Sequence, residues 1–154
     1  MITSVLSGHS SPLRCVALSR DNSYVVSGGE DGTIIVYSTK TGIVEYRADN
    51  VFAVGVRGLC YLPNGSLLAC GSGGGLKVFS PSLELHQILV GHNGTVRCVT
   101  VSPSGSHLAS GEANCPNITR VILKHLHSRP LATLPRLRPN HHLPKTITRS
   151  LVGA

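Results

Sequence analysis

Short apolar runs and short polar breaks alternate along the first two thirds of the chain. Three stretches share one form: RCVALS, RDN, SYVVSGG from Arg14; RGLCYL, PNG, SLLACGS from Arg57; and RCVTVS, PSG, SHLASGE from Arg97. The apolar runs are rich in Val and Leu, too short for ordinary helices, and bounded by turn residues, which predicts strands. Pro-Asn-Gly and Pro-Ser-Gly favour tight turns, because glycine takes a positive φ without steric cost, so neighbouring strands fold back antiparallel. The first stretch goes on to TIIVYS and GIVEYR, the second to LKVFS and ELHQILV. The expectation is four short antiparallel strands per unit and an all-β fold.

The units repeat. Gly8-His9 and Gly91-His92 stand 83 residues apart, twice a period of about 41, and the Arg57 stretch is the copy between them. The third copy breaks off in mid-unit. After Asn114 the chain reads CPNITRVILKHLHSRP, where the first copy reads GTIIVYSTKTG.

Four-stranded units at this period, opened by Gly-His and punctuated by SGGEDGTIIVY, resemble the WD-repeat family of β-propeller proteins over roughly residues 3–114. The resemblance implies blades packed radially around a channel. It also implies a hydrogen-bonded set: His in the Gly-His loop, Ser in the second strand, Asp in the turn after it, and Trp in the third strand. Matched residue by residue, the first unit offers His9, Ser27 and Asp31, with Tyr37 where Trp is usual. In the second unit Cys70 replaces the Ser, Gly73 stands near the Asp position and Phe79 replaces the aromatic donor. The third has His92 and Ser110, but Asn114 replaces the Asp and no aromatic follows. A buried carboxylate needs donors, which an imidazole N–H and turn amides supply. With one set nearly intact, blade closure is expected to be strongest around the first unit.

By the same resemblance, Arg14, Glu30, Arg97 and Glu112 are expected at the rim where other proteins or peptides bind, and the function implied is a non-enzymatic scaffold. The repeats supply a little under three blades, whereas propellers usually need at least four to close. The expected architecture is therefore a partial propeller, either a shortened form of a larger one or an arc completed by other chains. Uncovered blade faces and strand edges would favour self-association.

Several residues invite chemical readings. His9, Ser27 and Asp31 are the residue types of a hydrolytic triad, but a nucleophilic Ser needs an exposed Oγ and an oxyanion hole facing a pocket. Here the Ser ends an apolar strand and recurs as Ser110, so the set is read as structural, with no catalytic residue. GSGGG, residues 71–75, runs directly into LKVF without a helix or a Lys-Ser/Thr, which fits a turn rather than a phosphate loop. Cys15 and Cys98 recur at equivalent places, which argues for packing of small thiols. His125, His127, His141 and His142 lack the rigid frame of a selective metal site. No metal and no cofactor is expected.

Charge divides the chain. The net charge is +7, yet all seven acidic residues lie at or before Glu112, matched by seven basic residues up to Arg97. The excess comes from seven Lys and Arg between Arg120 and Arg149, among five of the nine prolines and four of the eight histidines. Residues 1–114 are thus read as the repeat region, and 115–154 as an irregular or disordered basic tail outside the propeller. Its prolines stop a helix beginning near Ile118 from passing Ser128. Alternatively TRVIL, residues 119–123, adds one irregular strand at the edge of SHLAS. Such a tail would attract an acidic surface or phosphate backbone, and nucleic acid is one candidate partner. It lacks aromatics for base stacking and any nucleic-acid motif. The other reading is a sequence foreign to the repeat, joined by altered splicing or a shifted frame, in a product without independent stable function. The sequence shows neither a basic-flanked leader nor an apolar run of membrane length. Five cysteines, an odd number, suit the cytosol or nucleus.

Overall fold

The computed structural model describes residues 4–73, 75–114 and 118–125, with backbone alone for Asn114 and for 118–125. Every regular element among them is a strand, in three antiparallel sheets. The first sheet runs in chain order: β1 (Leu13–Leu18), β2 (Tyr24–Gly29), β3 (Ile34–Ser38) and β4 (Val44–Ala48). The second repeats the order with β5 (Val56–Tyr61), β6 (Leu67–Gly71), β7 (Leu76–Phe79) and β8 (Leu85–Leu89). The third holds β9 (Thr95–Val101), β10 (His107–Asn114) and β11 (Ile118–His125). No helix among the described residues is long and apolar enough to cross a membrane.

The expected turns form, and by one device. Asn22, Gly65 and Gly105 occupy the same place in their blades with φ of 60°, 84° and 74°. Their amides donate to the carbonyls of Ser19, Leu62 and Ser102 at 2.8–3.0 Å. The residue before each, Asp21, Asn64 or Ser104, accepts the amide two positions on from Ser23, Ser66 or Ser106. A short polar side chain followed by a residue tolerant of positive φ fixes this turn without tertiary help.

The blades pack side by side through their first strands, β1 against β5 and β5 against β9. Val26, Ile34, Val36, Phe52, Val56, Leu67 and Ala69 fill the space between the first two blades. Leu62, Leu68, Cys70, Leu76, Val78, Val96 and Leu108 do the same between the second and third. The three turns described above meet at one end of the arc, where the Arg20 guanidinium crosses to the Pro103 carbonyl at 2.6 Å.

The edge left by the shortened third unit is covered. β11 pairs antiparallel with β10 over eight residues, from Asn114↔Ile118 to His107↔His125. Of the two readings of this stretch the added strand forms, over Ile118–His125 rather than residues 119–123 alone, so the sheet continues past the boundary expected at 114/115. An open ladder offers unpaired amides and carbonyls, and ITRVILKH carries the β-branched residues that suit a strand. The prolines at 130, 135, 139 and 144 and the histidines at 127, 141 and 142 lie outside the described residues, as does most of the basic tail.

Candidate functional site

The first Gly-His loop brings His9 over the end of β2. Its Nε2 lies 2.8 Å from Ser27 Oγ and its Nδ1 3.3 Å from both oxygens of Asp31. A carboxylate only accepts, so Nδ1–H donates to Asp31. Asp31 also accepts the amides of Thr33 at 2.9 Å and Ser10 at 3.1 Å. Burial pushes the Asp31 carboxyl up, and those amides with the His9 ring outweigh it, holding the carboxyl below its ordinary value. Tyr37 is buried near Ser27. Among the described residues it makes no hydrogen bond with the other three, so its contribution is packing.

The third blade completes its set with a residue expected elsewhere. His92 Nε2 lies 2.7 Å from Ser110 Oγ, and His92 Nδ1 donates to Glu112 Oε2 at 2.8 Å. The same oxygen accepts the amides of Asn93 at 2.9 Å and Gly94 at 3.4 Å. Asn114, which occupies the Asp position by sequence, stands at the far end of β10. Glu112 serves instead because of the path of the strand. In the first blade β2 ends at Gly29 and the turn carries Asp31 back beneath His9, whereas β10 runs straight to Asn114. Side chains two apart on a strand share a face, so Ser110 and Glu112 both lie under His92. Glu112, expected on the rim, is 1% exposed. Burial raises its carboxyl, and the amides of Gly94 and Asn93 with the His92 ring more than reverse this, leaving it below its ordinary value. The third set is more deeply buried than the first, so a complete set is not confined to the first unit.

Among the described residues the second blade has no such set. Phe52 fills the place, its ring packed where a Cβ on Gly71 would come within 2.7 Å. Lys77 lies 4.7 Å from the Phe52 ring centroid and donates to the Val51 carbonyl. Cys70 and Phe79 are buried, as expected of packing residues. Sequence alone does not single out Phe52; its one signal is an aromatic five residues before Arg57, the offset at which His9 and His92 precede Arg14 and Arg97.

Ser27 and Ser110 have the bonding order of a hydrolytic triad, but each is 3% exposed, so neither hydroxyl can reach a substrate carbonyl. Burial pushes the thiols of Cys15 and Cys60 up to about 11 and that of Cys70 to about 12. They remain protonated apolar fillers. Among the described residues no group of three or more His, Cys, Asp or Glu is arranged to hold a metal ion.

The remaining rim residues share one structural feature. The pairing of β1 with β2 shifts between Leu13 and Cys15, that of β5 with β6 between Val56 and Gly58, and that of β9 with β10 between Val96 and Cys98. The extra residue of each bulge is Arg14, Arg57 or Arg97. A bulge turns its side chain out of the ladder, so three arginines stand at one register on three adjacent inner strands, at the Gly-His end. Arg14 donates through Nε and Nη2 to Glu30 Oε1, the former at 2.7 Å. Arg97 is exposed, and Arg57 Nε is buried without a partner among the described residues.

A family model described as WD domain, G-beta repeat matches residues 2–38, 50–80 and 83–115. Among solved structures, the crystal structure of RRP9 WD40 repeats and the structure of U3-55K each superpose with a TM-score of 0.67 at 19% identity. Each covers 70% of this chain, while the chain spans 34% and 35% of their lengths. No curated protein sequence matches.

Proposed function

Because the chain belongs to the WD-repeat family, we propose that it is a protein-docking module whose Gly-His rim receives a segment of a partner, with Arg14, Glu30 and Arg97 among the contact residues. WD-repeat domains are in general non-enzymatic interaction scaffolds. The observation that carries the proposal is the arginine on each inner-strand bulge: a rigid frame presents three planar donor groups side by side, of which only Arg14 is neutralised within the described residues. Guanidinium groups are strong interface anchors when held in this way. Glu112 is excluded from the rim by its burial.

In this reading the three blades work as a segment of a larger ring. Val16 and Leu18, 64% and 59% exposed on β1, form the kind of apolar face that a neighbouring blade covers. The setting is a reducing compartment, cytosol or nucleus, which suits four described cysteines that are all unpaired. A displayed random-peptide library panned on the full chain tests the rim. Selected peptides should lose binding to Arg97→Ser and to Glu30→Ser, with thermal stability unchanged. Peptides held equally by both variants, or no enrichment at all, would remove the rim from consideration.

A further inference from the structure

Three of the four tyrosines in this aromatic-poor chain line one concavity, at the end of the arc opposite the arginine rim. Tyr24 stands at the start of β2, Tyr46 on β4 and Tyr61 at the end of β5, around a space of about 370 Å³ between the first two blades. Tyr24 and Tyr46 are 37% and 39% exposed, and the floor is the buried Val36 and Leu62. Among the described residues none of the three hydroxyls is hydrogen-bonded. Asp21 lies at the edge, its carboxylate fixed by the Ser19 hydroxyl at 2.7 Å and the Ser23 amide at 3.0 Å. The neighbouring Arg20 is committed to the Pro103 carbonyl of the third blade, so it does not close over Asp21.

We propose that this groove binds a proline-rich segment of a partner polypeptide in the extended polyproline conformation, with a Lys or Arg of that segment against Asp21. The chemistry selects this occupant. Flat rings at an apolar floor suit pyrrolidine rings, which enter a groove already ordered and lose little entropy. A polyproline segment bonds none of its own carbonyls, and the unpartnered tyrosine hydroxyls are the donors it requires. The groove is lined from two blades, with Tyr46 and Tyr61 on edge strands of different sheets and Tyr24 and Val36 on central ones, so side-chain contacts rather than an added ladder define it. The site is separate from the Gly-His rim, and the two stand or fall independently.

Titration of the full chain with the peptide Ac-Ala-Pro-Pro-Leu-Pro-Pro-Arg-NH2 tests the inference. The chain has no Trp, so its emission comes from tyrosine, and three of its four tyrosines line the groove. A saturable change in emission is expected, with no response to a peptide of equal charge carrying Ala for each Pro. By calorimetry, Tyr24→Ala and Tyr46→Ala should each weaken binding about tenfold or more, as truncating a central interface aromatic does. Because a tyrosine variant can lose binding by losing structure, Asp21→Asn gives the second arm. It should weaken the Arg peptide and leave a Gln-ended counterpart unaffected. Absence of binding, equal affinity for the alanine peptide, or full affinity in both tyrosine variants overturns the proposal.

Discussion

Asp31 and Glu112 perform the same task from different positions in their repeats, and their substitution separates bonding from charge. Asp31→Ala removes the acceptor of the Thr33 and Ser10 amides and of the His9 ring, and should cost roughly 1–3 kcal/mol, the cost of leaving part-buried donors unpaired. Urea denaturation measures it; an unchanged midpoint would mean that these bonds do not persist in solution. The charge is tested by pH. Both carboxyls lie below their ordinary values of 3.8 and 4.5, so the folded chain binds fewer protons there than the unfolded chain. Their contribution is complete above the ordinary values and is lost as pH falls through the lowered ones. Thermal stability should be level down to about pH 5 and then decline. Glu112→Gln should be less stable at neutral pH and decline less steeply in acid. Parallel acid limbs for the variant and the parent chain would contradict this.

At the scale of elements, the three blades solve one problem in two ways. The Gly-His loop must be tied to the end of the second strand, and the first and third blades use a buried carboxylate and imidazole. The second uses Phe52, whose ring sits on Gly71 under the Lys77 ammonium. Phe52→Ala should therefore behave as a core truncation and cost about 3–5 kcal/mol. A loss as small as that of a surface aromatic, read from the denaturant midpoint, would show that the second blade is held by other contacts. Gly71→Ala should also destabilise, since its Cβ would meet the Gly55 carbonyl at 2.6 Å.

The whole molecule combines an exposed blade face with an uneven charge distribution. Leu13, Val16 and Leu18 are exposed together on β1, and burial of apolar area is worth about 25 cal/mol per Å². The isolated chain should self-associate at micromolar concentration, and Val16→Lys should raise the monomer fraction in sedimentation velocity. A sharp monomer peak for the unaltered chain would defeat the expectation. Removal of residues 126–154 deletes five of the seven basic residues beyond Asn114 while keeping β11. Polyanion binding should then weaken and lose most of its salt dependence. A cut at Asn114 would instead remove β11 and reopen the edge of β10, so lost binding there would not separate charge from fold.

Strand positions, turn type and the number of units were legible along the chain, because alternation and turn chemistry are written in windows of a few residues. His9, Ser27, Asp31, His92 and Ser110 could be placed for the same reason, since each has a fixed offset from a turn or a Gly-His pair. Other features depend on where separate strands arrive. Glu112 replaces Asn114 because β10 continues where β2 turns. The arginines share a register because bulges, invisible in a pattern of period two, displace them. Tyr24, Tyr46 and Tyr61 meet because two blades pack at one angle. Local propensity and repeat period decide which strands form, whereas a buried carboxylate's partner or a groove's lining is set by distances between residues far apart in sequence, and these exist only in the packed chain.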